Sequence, residues 1–508
     1  MLVDLETPEG AVFGASFDVC ISGSGPAGLS LALKLAGKGH RVLLLEAGEL
    51  AYTERSTHVY KGTNSGLDYF SSTACRLRFF GGTSNHWGGW CHAIDARDFE
   101  KRAHVPYSGW PIKKADLDPY FSETADILDV KTPRVPDYLQ LQGKDPNLTK
   151  FEFSFSSPVT RFGNKYRKTV ESSENITCVL NANVVDIKLD ENSASVSSFL
   201  VSNYSGQRFE AKADRYVLCH GGIENPRTLL NANHQLKHGI GNGNDLVGRF
   251  FMEHPHFIVA SALLNHEHPN FTRFAGFKQA DLLTAFYQPT RDFQRREKIL
   301  NFGLRFRLRE GMGISLESIS FKNKLKRSLC ESDTLLPLAD SIKWDGRVGC
   351  PHDLRLKTAS EQSPNPASRI TLGKDVDRFG NRRLDVDWQL TELDKRTLKQ
   401  SALQVGRVMA QKNLGRVRLS DWLIDSTLSF PDTAHDEVGG NHHMGTTRMA
   451  VSPEHGVVNE NLQVFGIRNL YIGGSSVFPT SGHVNPTFTL VQLSLRLADH
   501  IDSRINAT

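Results

Sequence analysis

Apolar and polar positions near the start of the chain alternate in blocks that predict strand, helix and strand. Val19 to Ser22 is a short apolar run, followed by glycines and then by Leu29, Leu31, Leu33 and Leu35, a helix apolar enough to lie against a sheet. Gly37 and Gly39 bracket the end of that helix, and RVLLL returns as a second strand that closes on Glu46. Further on, VLCHGGIENPRTLL (217 to 230) reads as another strand leading into a helix. The stretch from 191 to 214, with NSASVSS and YSGQRF, reads as a polar hairpin. SRITLGKDVDRFGNRRLDVDWQLTELDKRT (368 to 397) shows a strand, a DRFGN turn, a second strand and a helix start, with alternation suited to an antiparallel sheet. Near the C-terminus, LYIG (470 to 473) is a buried strand, 474 to 482 is rich in turn residues, and an apolar helix runs to about Ile501. Pro486 suits the first position of that helix and makes Asn485 its expected N-cap. The rest of the middle, from about 257 to 434, carries little legible pattern, and no repeats appear.

A chain of 508 residues predicts two or three domains. Its net charge of +4, with 39% hydrophobic and 23% charged residues, is that of a globular protein and gives no reason to expect nucleic acid as a partner. The densest basic run, KNKLKRS at 322 to 328, reads as a solvated face. Seven cysteines are scattered without a CxxC pair, which fits a reducing compartment and excludes the usual zinc or iron–sulfur spacings. The stretch from Val19 to Leu33 is too short to span a membrane and contains glycine and proline, and the acidic start is unlike a signal peptide. The expectation is a cytoplasmic protein with no membrane span.

The turn after the first strand has Gly23, Gly25 and Gly28 in the spacing GxGxxG. The first glycine permits a tight turn, the second lets the backbone approach a pyrophosphate, and the third lets the helix pack closely on the strand. The helix N-terminus then faces the anion. Glu46 lies 23 residues beyond Gly23, where a carboxylate accepts hydrogen bonds from ribose hydroxyls and repels a 2′-phosphate. Strand, helix and acid agree on a dinucleotide site for FAD or NAD rather than NADP. The one other glycine cluster, GIGNGNDLVG (239 to 248), has neither a preceding apolar strand nor a following acid, so no second nucleotide fold is expected. His254-Pro-His256 lacks further ligand groups at recognisable spacing, so no metal is expected and a structural role at a strand end is preferred. No GxSxG elbow is present, which disfavours a hydrolase.

A further glycine-rich stretch, RFFGGTSNHWGGWCHAIDARDF (78 to 99), stands with VLCHGGIENPRTLL, VGRFFMEHPH (247 to 256) and GGNHHMGTTRM (439 to 449). Together with the N-terminal fingerprint these resemble the glucose–methanol–choline (GMC) family of FAD-dependent oxidoreductases over essentially the whole chain. NHWGGW and GTTRM carry a narrower resemblance to the bacterial pyranose-oxidase-like branch that includes glucoside 3-dehydrogenases. The resemblance implies an α/β fold with a Rossmann-like FAD-binding domain of the GMC and p-hydroxybenzoate-hydroxylase type, beside a substrate domain built on an antiparallel sheet. The first is expected over 1–150, 168–256 and 435–508, and the second over 151–167 and 257–434, with the strands of 368 to 387 in the sheet that roofs the substrate cavity.

By the same resemblance, Gly23, Gly25, Pro26, Ala27 and Gly28 hold the FAD at its first loop, with Glu46 and Ala47 after the second strand. Gly82, Thr83, Asn85, His86, Trp87, Gly88 and Gly89 follow it along the ring, with Val185 and Gly221 from later elements. Gly474, Ser475, His483, Asn485, Pro486 and Thr487 close the site at the C-terminal end. Pyranose oxidases bond the histidine of a THW motif to the flavin, but Gly88 stands where a threonine follows the tryptophan, so His86 is expected to pack against a non-covalent ring. The catalytic pair of the family is a histidine three residues before the glycine of a G-T turn and a histidine or asparagine opening the last helix. These positions are His442 and Asn485. If the segment is extended, His442 and His443 point to opposite faces, and His443 is structural.

The chemistry implied is removal of a hydride from carbon to the flavin and of a proton from oxygen to His442. The expected substrate is a sugar or glycoside ring hydroxyl, carbon 3 included, oxidised to the ketone. Alternatives are an oxidase or dehydrogenase of a non-sugar alcohol, or a lyase of the same fold without net redox. Oxygen, a quinone, a cytochrome or a small partner subunit collects the electrons, and a subunit carrying an export signal would make the location periplasmic.

Overall fold

A computed structural model describes residues 1–7, 10–132, 137–141, 145–265, 285–308, 343–344, 347–348, 353–434 and 436–506. The basic run at 322 to 328, Cys330 and Cys350 lie outside the described residues. The first sheet is parallel and six-stranded, in the spatial order Leu2–Asp4, Ile176–Leu180, Val42–Leu45, Val19–Ser22, Arg215–Leu218 and Leu470–Ile472. The strands Val19–Ser22 and Val42–Leu45 are buried at every position, as strands covered on both faces must be. The helix Pro26–Gly37 covers the sheet and packs on the C-terminal helix Thr487–Ile505. Strands from the start, the middle and the end of the chain thus lie side by side. The loops that follow Ser22, Leu45, Leu218 and Ile472 emerge along one edge, where open parallel sheets bind ligands.

The predicted polar hairpin is part of a three-stranded antiparallel sheet, Asn183–Leu189, Val196–Ser202 and Arg208–Ala211. A second lobe carries its own apolar core around a six-stranded antiparallel sheet. Its spatial order is Gly415–Leu419, Ile258–Leu264, Asp353–Ser360, Phe302–Leu308, Ala285–Pro289 and Leu148–Glu152. The helix Glu392–Gln411 starts at a capping box between Thr391 and Asp394 and buries Leu398, Ala402, Val405 and Met409 against this sheet. The domain boundary expected after residue 150 falls inside Leu148–Glu152, which pairs along its length with Ala285–Pro289.

The two strands read at 368 to 387 form as Arg369–Val376 and Arg382–Asp387, but they do not roof the cavity. They make a separate three-stranded sheet with Gly62–Asn64, and the six-stranded sheet forms the cavity wall instead. The cause is register. Ile370 N donates to Gly248 O and Phe251 N to Ser368 O, and the three-residue strand at 62 pairs with Leu384 to Val386, which holds this ribbon outside the larger sheet.

Candidate active site

A cavity of about 850 Å³ runs from the glycine loops of the parallel sheet to the wall of the antiparallel one. Gly23 has φ +103°, and a Cβ there would lie 2.6 Å from the Cys219 carbonyl oxygen. A Cβ on Gly28 would lie 1.8 Å from the Gly23 carbonyl oxygen, so the helix can approach the turn only without a side chain at that position. Gly25 differs: a Cβ there would meet nothing within 4 Å, because the residue faces the cavity. No side chain caps the helix that begins at Pro26, so first-turn N–H groups stay available to an anion. Glu46 lines the cavity and is held by its neighbours: its carboxylate accepts from Ser24 N (3.1 Å), Ser24 Oγ (2.6 Å) and Gly48 N (2.9 Å).

Most of the expected cofactor residues line this one cavity: Gly23, Gly25, Pro26, Ala27, Glu46 and Ala47 at one end, Gly82, Thr83, His86, Trp87 and Gly88 along it, then Gly221, Gly474, Ser475, Asn485, Pro486 and Thr487. Gly28, Asn85, Gly89, Val185 and His483 do not. Gly28 serves the helix contact just described. The Asn85 amide donates to Phe80 O (2.8 Å) and the Gly89 carbonyl accepts from Ser156 N (2.7 Å), so both brace the loop from behind. Strand alternation buries Val185 and gives the cavity its neighbour Val184. His483 Nε2 lies 2.9 Å from Gln288 Oε1, and its ring meets Phe151 edge-on at 5.1 Å, which ties it to the antiparallel sheet. His86 is half-buried with its pKa lowered by burial and by Arg161, and Trp87 Nε1 donates to Thr160 O (2.8 Å).

At the other end of the cavity, His442 and Asn485 meet, with His442 Nε2 2.8 Å from Asn485 Nδ2. The asparagine is not the helix cap that the sequence suggested. Pro486 occupies the N-cap position and no side chain caps the helix, because the Asn485 amide is turned to the imidazole instead. On its other side, His442 Nδ1 lies 2.9 Å from Nδ1 of His254, whose Nε2 lies 3.3 Å from Ser481 O. Antiparallel bridges between Met252 and Met444 and between Pro255 and Gly439 place residue 254 opposite residue 442. The fully buried Glu253 accepts from His442 N (2.8 and 2.9 Å), His254 N (2.7 Å) and Tyr69 Oη (2.5 Å). Burial nonetheless raises its pKa to about 7. Burial, with His254 and His443 adding to it, holds His442 well below the usual histidine value. A buried, neutral imidazole at the cavity has the character of a proton acceptor.

His443 also borders the cavity, but its ring stacks on Phe251 at 6.1 Å and meets Tyr69 edge-on, and its carbonyl accepts from Ser475 Oγ (2.7 Å). It joins the two halves of the C-terminal loop, in keeping with a structural part. Sequence reasoning missed His254, assigned to a strand end, and the wall residues Phe286, Arg305, Arg307 and Thr358. Arg305 lies 4.9 Å over Trp90, and burial, with Arg307 beside it, lowers its pKa to about 10. Alternation in FGLRFRL and DLRLKTAS was the available signal, but it does not say which face meets a ligand. Among the described residues no group of three or more His, Cys, Asp or Glu could hold a metal ion.

The cavity suits a dinucleotide with a ring system. Glycine turns allow close backbone approach, the helix N-terminus lacks a cap, Glu46 stands at the second strand's tip, and the volume lies in the range of cofactor sites. Residues 18–222 match the family of FAD dependent oxidoreductases, and residues 364–494 match GMC oxidoreductase. The chain is 24% identical to 2-methyl-1,2-propanediol dehydrogenase of Mycolicibacterium austroafricanum over 96% of each chain. It is 28% identical to the fructose dehydrogenase large subunit of Gluconobacter japonicus over 63% of this chain and 53% of that one. It is 26% identical to the C-glycoside 3-oxidase of Microbacterium trichothecenolyticum over 34% and 35%. Pyridoxine 4-oxidase from Mesorbium loti shares the fold with a TM-score of 0.61 at 18% identity, covering 95% of this chain and 99% of its own. With FAD as its cofactor, the chain carries an FAD-dependent oxidoreductase domain and a GMC oxidoreductase C-terminal domain, and is an FAD-dependent oxidoreductase acting on alcohols.

Proposed function

We propose that this enzyme oxidises a ring hydroxyl of a sugar or glycoside, carbon 3 included, to the ketone, with His442 as the base and Asn485 orienting the reacting oxygen. The observation that carries this reading is the convergence of the two side chains at 2.8 Å on the cavity that the glycine loops also line. The bound FAD supplies hydride acceptance. His442 takes the hydroxyl proton on Nε2, a step worth ~10²–10⁴-fold. The Asn485 amide holds the same oxygen without competing for its proton. Trp87, Trp90 and Phe286 give apolar faces to a sugar ring, while Arg305 and Arg307 present donors from the sheet wall. The names of the relatives, a C-glycoside 3-oxidase, a fructose dehydrogenase and a propanediol dehydrogenase, support a polyhydroxylated substrate.

The test mixes the purified yellow protein, without oxygen, with pyranoses, glycosides, fructose and 1,2-diols while the flavin absorbance is followed. Bleaching by a sugar or glycoside with a keto product, located by NMR, is the expected result. Bleaching by simple diols alone would replace the substrate class, and bleaching by no alcohol would overturn the reading. Repeating the reaction in air, with quinones and with cytochrome c distinguishes the acceptors: oxygen, a quinone, or a partner subunit of the kind the name "large subunit" implies for the fructose enzyme. No helix among the described residues is long and apolar enough to cross a membrane.

A further inference from the structure

Three contacts around His442 admit one arrangement of protons. His254 Nε2 faces the Ser481 carbonyl oxygen at 3.3 Å, and a carbonyl can only accept, so Nε2 of His254 carries the hydrogen. A neutral His254 then has a bare Nδ1. That bare nitrogen lies 2.9 Å from Nδ1 of His442, a contact that needs one hydrogen, and only His442 can supply it. With its hydrogen on Nδ1, neutral His442 has a bare Nε2, which at 2.8 Å accepts from the Asn485 amide. The opposite assignment would set a bare His254 Nε2 against a carbonyl oxygen. Burial, which lowers the His254 pKa to about 4, removes the doubly protonated form near neutral pH.

We infer that His254 is a positioning residue that locks His442 in the Nδ1–H tautomer, so that Nε2, which accepts from the Asn485 amide in this structure, is the nitrogen whose lone pair is freed when that amide turns to the substrate oxygen. The inference rests on the reading of His442 as the base. Backbone register makes the lock permanent, because the bridges at Met252–Met444 and Pro255–Gly439 hold the two residues opposite one another. Both main-chain N–H groups are fixed on Glu253. When Nε2 takes a proton, the Nδ1–H bond to His254 persists, so no ring flip accompanies the transfer. Position 254 thereby acquires a function that a histidine serves through both nitrogens, one donating to Ser481 and one accepting from His442. A partner that sets the tautomer of a catalytic histidine can be worth up to ~10⁴-fold in rate.

The first test needs no substrate. In protein labelled with ¹⁵N-histidine and holding FAD, the His442 ring is assigned by its loss in His442→Gln. The expected spectrum at pH 7.5 shows hydrogen on Nδ1 and none on Nε2; hydrogen on Nε2 would overturn the inference. The second test compares His254→Asn, whose side-chain oxygen can still accept from Nδ1–H, with His254→Leu, which cannot. Flavin reduction by substrate should fall within about tenfold of wild type in the asparagine variant and about 100-fold or more in the leucine variant, with KM nearly unchanged. Equal losses in both, or none in leucine, would overturn it. If the leucine variant fails to hold FAD, the wild-type spectrum still decides. A flavin that no alcohol bleaches would remove the proposed substrate reaction and leave the tautomer result standing.

Discussion

His442 and His443 are neighbours in sequence with opposite surroundings, and the difference fixes what each can do. One ring lies between an amide and a second imidazole, and the other is stacked on Phe251. Replacing His442 by alanine should therefore leave the yellow cofactor bound while slowing its anaerobic reduction by ~10²–10⁴-fold, read by stopped-flow absorbance. Normal reduction in that variant would move the base elsewhere. Burial lowers the His442 pKa well below 6.5, so the proposed base stays unprotonated as pH falls through that value. The reduction rate should hold level from pH 8 to about 6.5 and decline only in more acid solution; an acid limb centred above 6.5 would contradict this. The pairing of His442 with Asn485 was legible as two motif positions. The third member, His254, was not, because a histidine beside a proline gives no sign of the strand it will face.

At the level of single elements, the first helix depends on one missing side chain. Gly28→Ala would put a methyl group 1.8 Å from a backbone oxygen that cannot swing aside. We expect loss of bound FAD and destabilisation by ~1–3 kcal/mol or more, measured by flavin release and thermal melting. Gly14→Ala, where a Cβ would meet nothing, is the control and should leave both unchanged. The antiparallel wall gives a different expectation. Arg305→Met keeps the chain that packs over Trp90 and removes the donors, so KM should rise about tenfold or more with kcat less affected, read in the substrate assay. That wall escaped the sequence reading because its strands pair across long separations, Phe302 with Ser360 and Ala285 with Glu152. Their cavity-lining positions include Arg305, Arg307 and Thr358, which resemble solvent-facing positions when read along the chain.

Across the whole molecule, titration should dominate acid stability. His254 and His483 are buried and His220, His256, His442 and His443 are partly buried, and desolvation lowers each below 6.5. Below pH ~6.5 the unfolded chain binds protons that these residues refuse when folded, so their contribution is complete above that value and is lost as pH falls. Glu253 and Asp98, raised by burial to about 7, and Asp394, raised to about 6, act in the opposite sense between pH ~4 and 7 and offset part of the loss. With six groups against three, thermal melts of the FAD-loaded enzyme should show Tm falling from pH 6.5 to 5. A Tm that rises over that range would show that the acids prevail.

The sequence by itself determined the dinucleotide-binding half, since glycine spacing, an apolar helix and an acid-tipped strand are local features whose meaning survives in isolation. It also determined which histidine and which asparagine to watch, through their motifs. Tertiary structure alone decided that Asn485 turns to an imidazole rather than capping its helix, and that Val184 rather than Val185 faces the cavity. It also decided that the six-stranded sheet rather than the ribbon at 369 to 387 forms the wall, and that His254 stands behind His442. The physical reason is common to all four. Each depends on the register between segments far apart in the chain, and register is set by packing and backbone pairing that no local pattern encodes.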